Sequence, residues 1–174
     1  MTQVSFQIRD AKPDDRTALW GLYPAAFPDE DLLPLLDRML QASDAPLMLV
    51  AEDPTGVIGH IAFTPCTTDA QAQDLSMLAP LAVDPAHQRR GVGTALIEAG
   101  IARLKAEGIQ AVYVLGDPAY YGRSGFAPNA DLAPPYPMPE EYRNAWQSLV
   151  LAGEEPQGTM DVPEYWRDPV LWGP

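Results

Sequence analysis

The chain has 174 residues, 47% of them apolar, and a formal net charge of −13. That length suits one domain with a real core, and the composition argues against a wholly disordered chain. The acidity argues against nucleic-acid binding, since no basic run offsets it; it suits either a cationic small substrate or a simply well-solvated surface.

The opening residues, MTQVSFQIRD, lack both a basic n-region and an apolar h-region, so no signal peptide is expected there. Phe6 and Ile8 alternate in a short first strand that Pro13-Asp14-Asp15 closes. Asp14 or Asp15 is placed to cap a helix through RTALWGLYPAAF. A second helix follows in DEDLLPLLDRMLQAS, with apolar residues at Leu32, Leu35, Leu36, Met39 and Leu40 and Pro34 in its first turn. PLMLVAED and VIGHIAFTPCTT read as two antiparallel strands joined at Pro54-Thr55-Gly56. DLSMLAPLAVD is nearly all apolar, as expected of a central strand.

Next comes the most informative stretch, VDPAHQRRGVGTALIEAG. A strand ends at Asp84-Pro85, two arginines and two glycines follow, and a helix of about 17 residues runs from Gly91 to Glu107. Gly93, Ile97, Gly100, Ile101 and Leu104 share one helix face, and Gly108 supplies a C-terminal stop. IQAVYVLGD then forms another strand, so Leu78–Val83 and Ala111–Leu115 are expected to run parallel around a βαβ crossover. PAYYGRSGF reads as a short helical turn ended at Gly125. The last 45 or so residues are rich in proline and aromatics and hold one clear strand, AWQSLVLA.

A helix N-terminus presents unpaired amides and a partial positive charge, glycines let an anion reach the backbone, and Arg89 and Arg90 add cations. Gln88 to Gly93 therefore suits a phosphate or pyrophosphate, although glycines that merely pack a helix on a sheet would give the same pattern. A P-loop is excluded because Gly93 is followed by Thr94-Ala95 with no lysine. A dinucleotide-binding fingerprint fails because Leu96 stands where its third glycine belongs. No metal site is expected, since His60 and His87 lie at no ligand spacing with each other or with Cys66. The lone cysteine allows no internal disulfide and agrees with a cytoplasmic protein. No apolar run nears the ~20 residues of a membrane helix.

The Gln-x-x-Gly-x-Gly of Gln88, Gly91 and Gly93 resembles the signature of the GCN5-related N-acetyltransferases, and YYGRSGF resembles their Tyr-x-x-x-Gly-Phe element. LGDPAYYGRSGF in particular is similar to one bacterial subgroup. The resemblance covers element order over residues 5–151, with 152–174 as a C-terminal extension packed on the domain or at a subunit interface. It implies an α/β fold with a mixed, mostly antiparallel sheet, a parallel βαβ crossover and splayed strands, flanked by helices.

The resemblance also implies acetyl-CoA as co-substrate and an amine acceptor, a small molecule or a protein. The amides of Arg89, Arg90, Gly91, Val92, Gly93 and Thr94 would hold the pyrophosphate, with Gln88 in the same loop. Leu81, Ala82 and Val83 would pair with the pantetheine arm. Tyr121 would be the general acid that protonates the departing thiolate. A homodimer is a family-level expectation, and a non-catalytic acyl-CoA sensor of the same fold is the alternative. Two departures from the pattern bear on Tyr121: Ser124 replaces a large apolar residue, and Gly116-Asp117-Pro118 replaces an upstream asparagine. The general base is unassigned among Asp74, Ser76, Glu52, Asp53, a water chain and the acidic Asp29-Glu30-Asp31 group, which could equally complement a helix N-terminus. His60 reads as a hydrogen-bonded structural histidine, and nothing near Cys66 activates it.

Overall fold

The computed structural model describes residues 5–69, 74–128 and 131–173; the first four residues and Pro174 lie outside them. The chain divides into two compact units, Met1–Phe63 with Pro80–Gly100 and Thr64–Ala79 with Ile101–Pro174.

In the first unit, β1 (Gln7–Asp10) pairs antiparallel with β2 (Leu47–Asp53), and β2 pairs antiparallel with β3 (Gly56–Thr68). Two helices precede β2, α1 (Arg16–Ala26) and α2 (Leu33–Gln41). Leu19, Leu22 and Tyr23 of α1 are buried at helical spacing, as are Leu35, Leu36 and Met39 of α2. Residues alternate across β3. Gly59 faces Val92 and Leu96 of helix α3 (Val92–Ala106), while His60 meets Tyr23 of α1. Helices thus cover both faces of this part of the sheet. The α3 face read from sequence is the packed one: Ile97 and Leu104 are buried, as is Leu96 beside them.

Asp15 does not cap α1 in the expected way. It ends a short 3-10 turn, Pro13–Asp15, and makes no side-chain cap bond to the helix. Its carboxylate instead accepts the Lys12 amide at 2.7 Å and a two-pronged contact from Arg9 at 2.8 Å. Arg9 also donates to Glu52 at 2.7 Å, so a bidentate ion pair wins over the helix amides.

In the second unit, the start of β4 (Leu75–Val83) runs parallel to β5 (Ala111–Leu115). The register is Leu75↔Ala111, Ser76↔Val112 and Met77↔Tyr113. The expected parallel pair at Leu78–Val83 is therefore displaced: pairing engages the first residues of β4. Periodicity gives a strand's face but not its register with a strand joined through a helix. Beyond Leu78, burial along β4 alternates, with Ala79, Leu81 and Val83 only half-buried.

The proline-rich end holds more strand than its sequence suggests. β8 (Trp146–Val150) pairs antiparallel with β5 and with β6 (Ala127–Pro128). β9 (Gly158–Asp161) pairs parallel with β7 (Leu132–Ala133) and antiparallel with Thr67-Thr68 of β3. Three tryptophans anchor this end. The indole N–H of Trp146 donates to Leu132 O at 2.8 Å, Trp166 to Thr64 Oγ1 at 3.0 Å and Trp172 to Trp166 O at 2.9 Å. All three are buried with their polar edge satisfied. The expected α/β class, a mixed and mostly antiparallel sheet with a parallel crossover, is the one the chain adopts.

Candidate active site

The first unit gathers the whole predicted phosphate loop. β4 ends at Val83; a 3-10 turn, Pro85–His87, leads to Gln88, and α3 begins at Val92. Gln88 folds back, its side-chain amide donating to Val83 O at 3.2 Å. Two loop residues adopt positive φ, Arg89 at 63° and Gly91 at 82°. Left-handed backbone is uncommon for a residue with a side chain. Left-handed residues set among ordinary ones turn successive amides toward a common concavity, a shape that binds anions. A Cβ on Gly91 would meet nothing within 4 Å, so glycine is required by conformation and not by space.

The helix adds its own donors. The first bond of α3 runs from Ala95 N–H to Gly91 O at 3.0 Å. The amides of Val92, Gly93 and Thr94 come before that bond and point out of the helix N-terminus. Val92 and Gly93 are buried, which fixes the helix start, whereas Gln88, Arg89, Arg90 and Gly91 are exposed. Leu81 and Val83 are half-buried and Ala82 is buried between them. The loop has the backbone shape and helix start that suit an anion, with two arginines in it, on a chain whose net charge is −13.

Tyr121 belongs to the second unit. It closes the short helix α4 (Pro118–Tyr121), which Asp117 caps by accepting the Ala119 amide at 2.9 Å. Its ring lies edge-on to Tyr120 and Phe126, with centroids 5.0 and 6.0 Å away. It also lies directly on Gly116, where a Cβ would stand 2.5 Å from the tyrosine ring. Gly116 is held in turn, donating to Ala145 O at 2.9 Å and accepting from the Gln147 side chain at 3.0 Å. Gly116, the first of the three residues in place of the upstream asparagine, thus has a structural purpose: only glycine lets the ring approach this closely. Burial pushes the Tyr121 hydroxyl well above the ordinary phenol range, so it carries its proton at neutral pH. Tyr120 is turned to a different partner, with the Arg123 guanidinium 4.9 Å above its ring.

The base candidates fare unevenly. Glu52 is tied to Arg9. Asp53 accepts both the amide and the hydroxyl of Thr55, which hold it below the usual carboxylate range and make it a weaker base. Ser76 is buried and its hydroxyl has no partner. Asp29, Glu30 and Asp31 are exposed between α1 and α2. His60 is the structural histidine its sequence suggested: Nδ1 and the Tyr23 hydroxyl are 2.6 Å apart, and burial pushes its pKa down to about 3. Cys66 is buried, donates to Thr64 O at 3.3 Å, and has its thiol pushed up by burial. Two cavities, of about 530 and 460 Å³, are lined by neither the loop nor Tyr121.

Comparison with known proteins gives the chain's family. The profile of the acetyltransferase (GNAT) family matches residues 16–126. The chain belongs to the GNAT family of acetyltransferases. The Escherichia coli K12 uncharacterized N-acetyltransferase YjhQ is 41% identical over 161 residues, covering 88% of this chain and 89% of the relative. The uncharacterized N-acetyltransferase YhbS of the same organism is 35% identical over 163 residues, covering 91% and 95%. The crystal structure of Escherichia coli YhbS in complex with CoA superposes with a TM-score of 0.87 at 29% identity, over 97% of this chain and 95% of that one. A GNAT acetyltransferase from Brucella melitensis in complex with acetyl-CoA gives 0.78 at 29% identity, over 94% and 99%. The family match ends at Phe126, the last residue of the Tyr121 element.

Proposed function

We propose that this acetyltransferase moves the acetyl group of acetyl-CoA to a primary amine by direct attack. The observation that carries the reading is the loop at residues 88–94. Two left-handed residues lead into the open N-terminus of α3, and two arginines stand beside it. Family relatives that hold CoA or acetyl-CoA support the same reading.

In this scheme the amides of Arg89 to Thr94 hold the CoA diphosphate, with the Gln88 side chain bracing the loop. The half-buried end of β4, Leu81 to Val83, pairs with the pantetheine arm. A free amine attacks the thioester carbon, the carbonyl oxygen gains negative charge, and a β4 amide stabilises it. The carbon–sulfur bond then breaks and the thiolate takes a proton. Tyr121 supplies that proton; its motif position and its retained hydroxyl proton support the role. An alkylamine has a pKa of about 10.4, so the acceptor must lose a proton before attack.

The domain of this reading spans residues 5–151, with 152–174 as an extension packed on it or at a subunit interface. The proposed setting is the bacterial cytoplasm, and the proposed assembly is a homodimer, which light scattering would check. Among the described residues no helix is long and apolar enough to cross a membrane.

The test is thiol release from acetyl-CoA across a panel of polyamines, aminoglycosides, amino acids and short peptides. Release with one amine class establishes the reaction and its acceptor class. Tight acetyl-CoA binding with no release from any amine leaves two readings, an acceptor outside the panel or a sensor, and no release without binding would contradict the proposal.

A further inference from the structure

The root of the loop carries a contact that the family signature does not include. His87, one residue before Gln88, stands between two carboxylates. Its Nδ1 lies 2.7 Å from Asp84 Oδ2, and its Nε2 lies 3.2 Å from Asp53 Oδ2. The two acids come from different places. Asp84 ends β4; its amide donates to Ile58 O at 2.8 Å and its carbonyl accepts the His87 amide at 2.8 Å. Asp53 ends β2, and its other oxygen is occupied by Thr55 at 2.8 and 2.5 Å. The Asp84 backbone and the Asp53 carboxylate are therefore held by contacts other than the ring. The Asp53 side chain is 7% exposed and the imidazole 17%.

A neutral imidazole carries one N–H. With one N–H, one carboxylate is bonded and the other faces a lone pair. Only the doubly protonated ring donates to both acids. In that form His87 ties the loop root to the β2–β3 turn and leaves a cation beside the residues that receive the diphosphate. Arg89 and Arg90, both exposed, follow two and three residues later in the same loop.

We propose that His87 is a positioning residue whose protonation sets the phosphate loop for CoA. This rests on the CoA-binding reading above. The protonated form binds more tightly, so CoA affinity is higher in acid than in base, and CoA binding draws a proton onto the ring.

The test is calorimetric titration with dephospho-CoA from about pH 5.5 to 8.5, the span in which histidine changes charge. Dephospho-CoA lacks the phosphate monoester that itself titrates near ~6. The wild type is expected to lose about fivefold in affinity across that span, as befits one charge-assisted contact. His87→Gln, which donates to one acid and carries no charge, is expected to bind weakly at every pH with no step. Asp53→Asn should shrink the step while Asp84 still holds the ring. A merely structural role for His87 would weaken binding equally at all pH values. A pH-independent wild type, or a His87→Gln variant that keeps the wild-type step, overturns the proposal. A folded wild type that binds no CoA at any pH would overturn the proposed function itself, and this inference with it.

Discussion

Replacing Gly91 separates two consequences of the loop geometry. Gly91 has φ +82°, and a Cβ there meets no atom within 4 Å. An alanine therefore suffers conformational strain and no clash. Left-handed backbone costs a residue with a Cβ about 1–2 kcal/mol. For a chain of this length each kcal/mol lowers Tm by roughly 2–4 °C, so Gly91→Ala should melt about 2–8 °C early and still fold. Gly91→Glu carries the same strain and adds a negative charge where the diphosphate is proposed to sit. Two like charges about 4 Å apart repel by ~1 kcal/mol in water and ~4 kcal/mol near a protein surface. Relative to alanine, glutamate should weaken CoA binding by about 5- to 1,000-fold. Calorimetry with CoA and a melting curve on both variants make the comparison. A folded Gly91→Glu protein that binds CoA within about twofold of Gly91→Ala would refute the placement of the diphosphate.

Other outcomes follow from the same geometry. Tyr121→Phe should lower kcat by roughly 100-fold, the usual scale for a lost general acid, with little change in the KM for acetyl-CoA; unchanged turnover would remove Tyr121 from that role. Gly116→Ala places a methyl 2.5 Å from the Tyr121 ring and must displace it, so it too should lower kcat. In a Tyr121→Phe background the alanine should add little, because both changes act on one hydroxyl. Asp15→Asn should cost about 2 kcal/mol at pH 7 in chemical denaturation, since it weakens the paired contact with Arg9. Arg9 holds the Asp15 carboxyl below its usual range, so its contribution is present above the unfolded pKa of about 3.9 and is lost as pH falls through the lower folded value. The gap between wild type and Asp15→Asn should therefore close in acid; a gap that stays constant would contradict the ion pair.

The turn from β4 into α3 was legible because its geometry is local. Glycines, arginines and a helix start lie within seven residues, and backbone geometry there depends on neighbours in sequence. The α3 face was legible for the same reason, through period 3.6. The register of β4 with β5 was not. It joins segments more than 30 residues apart, and a nearly all-apolar strand such as Leu75–Val83 carries no alternation to fix where pairing begins. β6 and β7 have two residues each, too few to show any period, and β9 has four. Asp15 read as a cap because its partner Arg9 precedes the helix on a strand, a contact that helix rules do not anticipate. His87 shows the limit most clearly. Its spacing from Asp84 is visible in Asp-Pro-Ala-His, but Asp53 stands 34 positions earlier and only folding brings it to the ring.

The most direct test of the account is the product of the reaction. The purified protein, acetyl-CoA carrying an isotopic label in its acetyl group, and the amine class selected by thiol release are combined, and the amine is analysed by mass spectrometry. Labelled acetamide formed in equal amount to free CoA is the predicted result. Free CoA with labelled acetate and an unmodified amine would mean hydrolysis and not transfer, and would contradict the central claim.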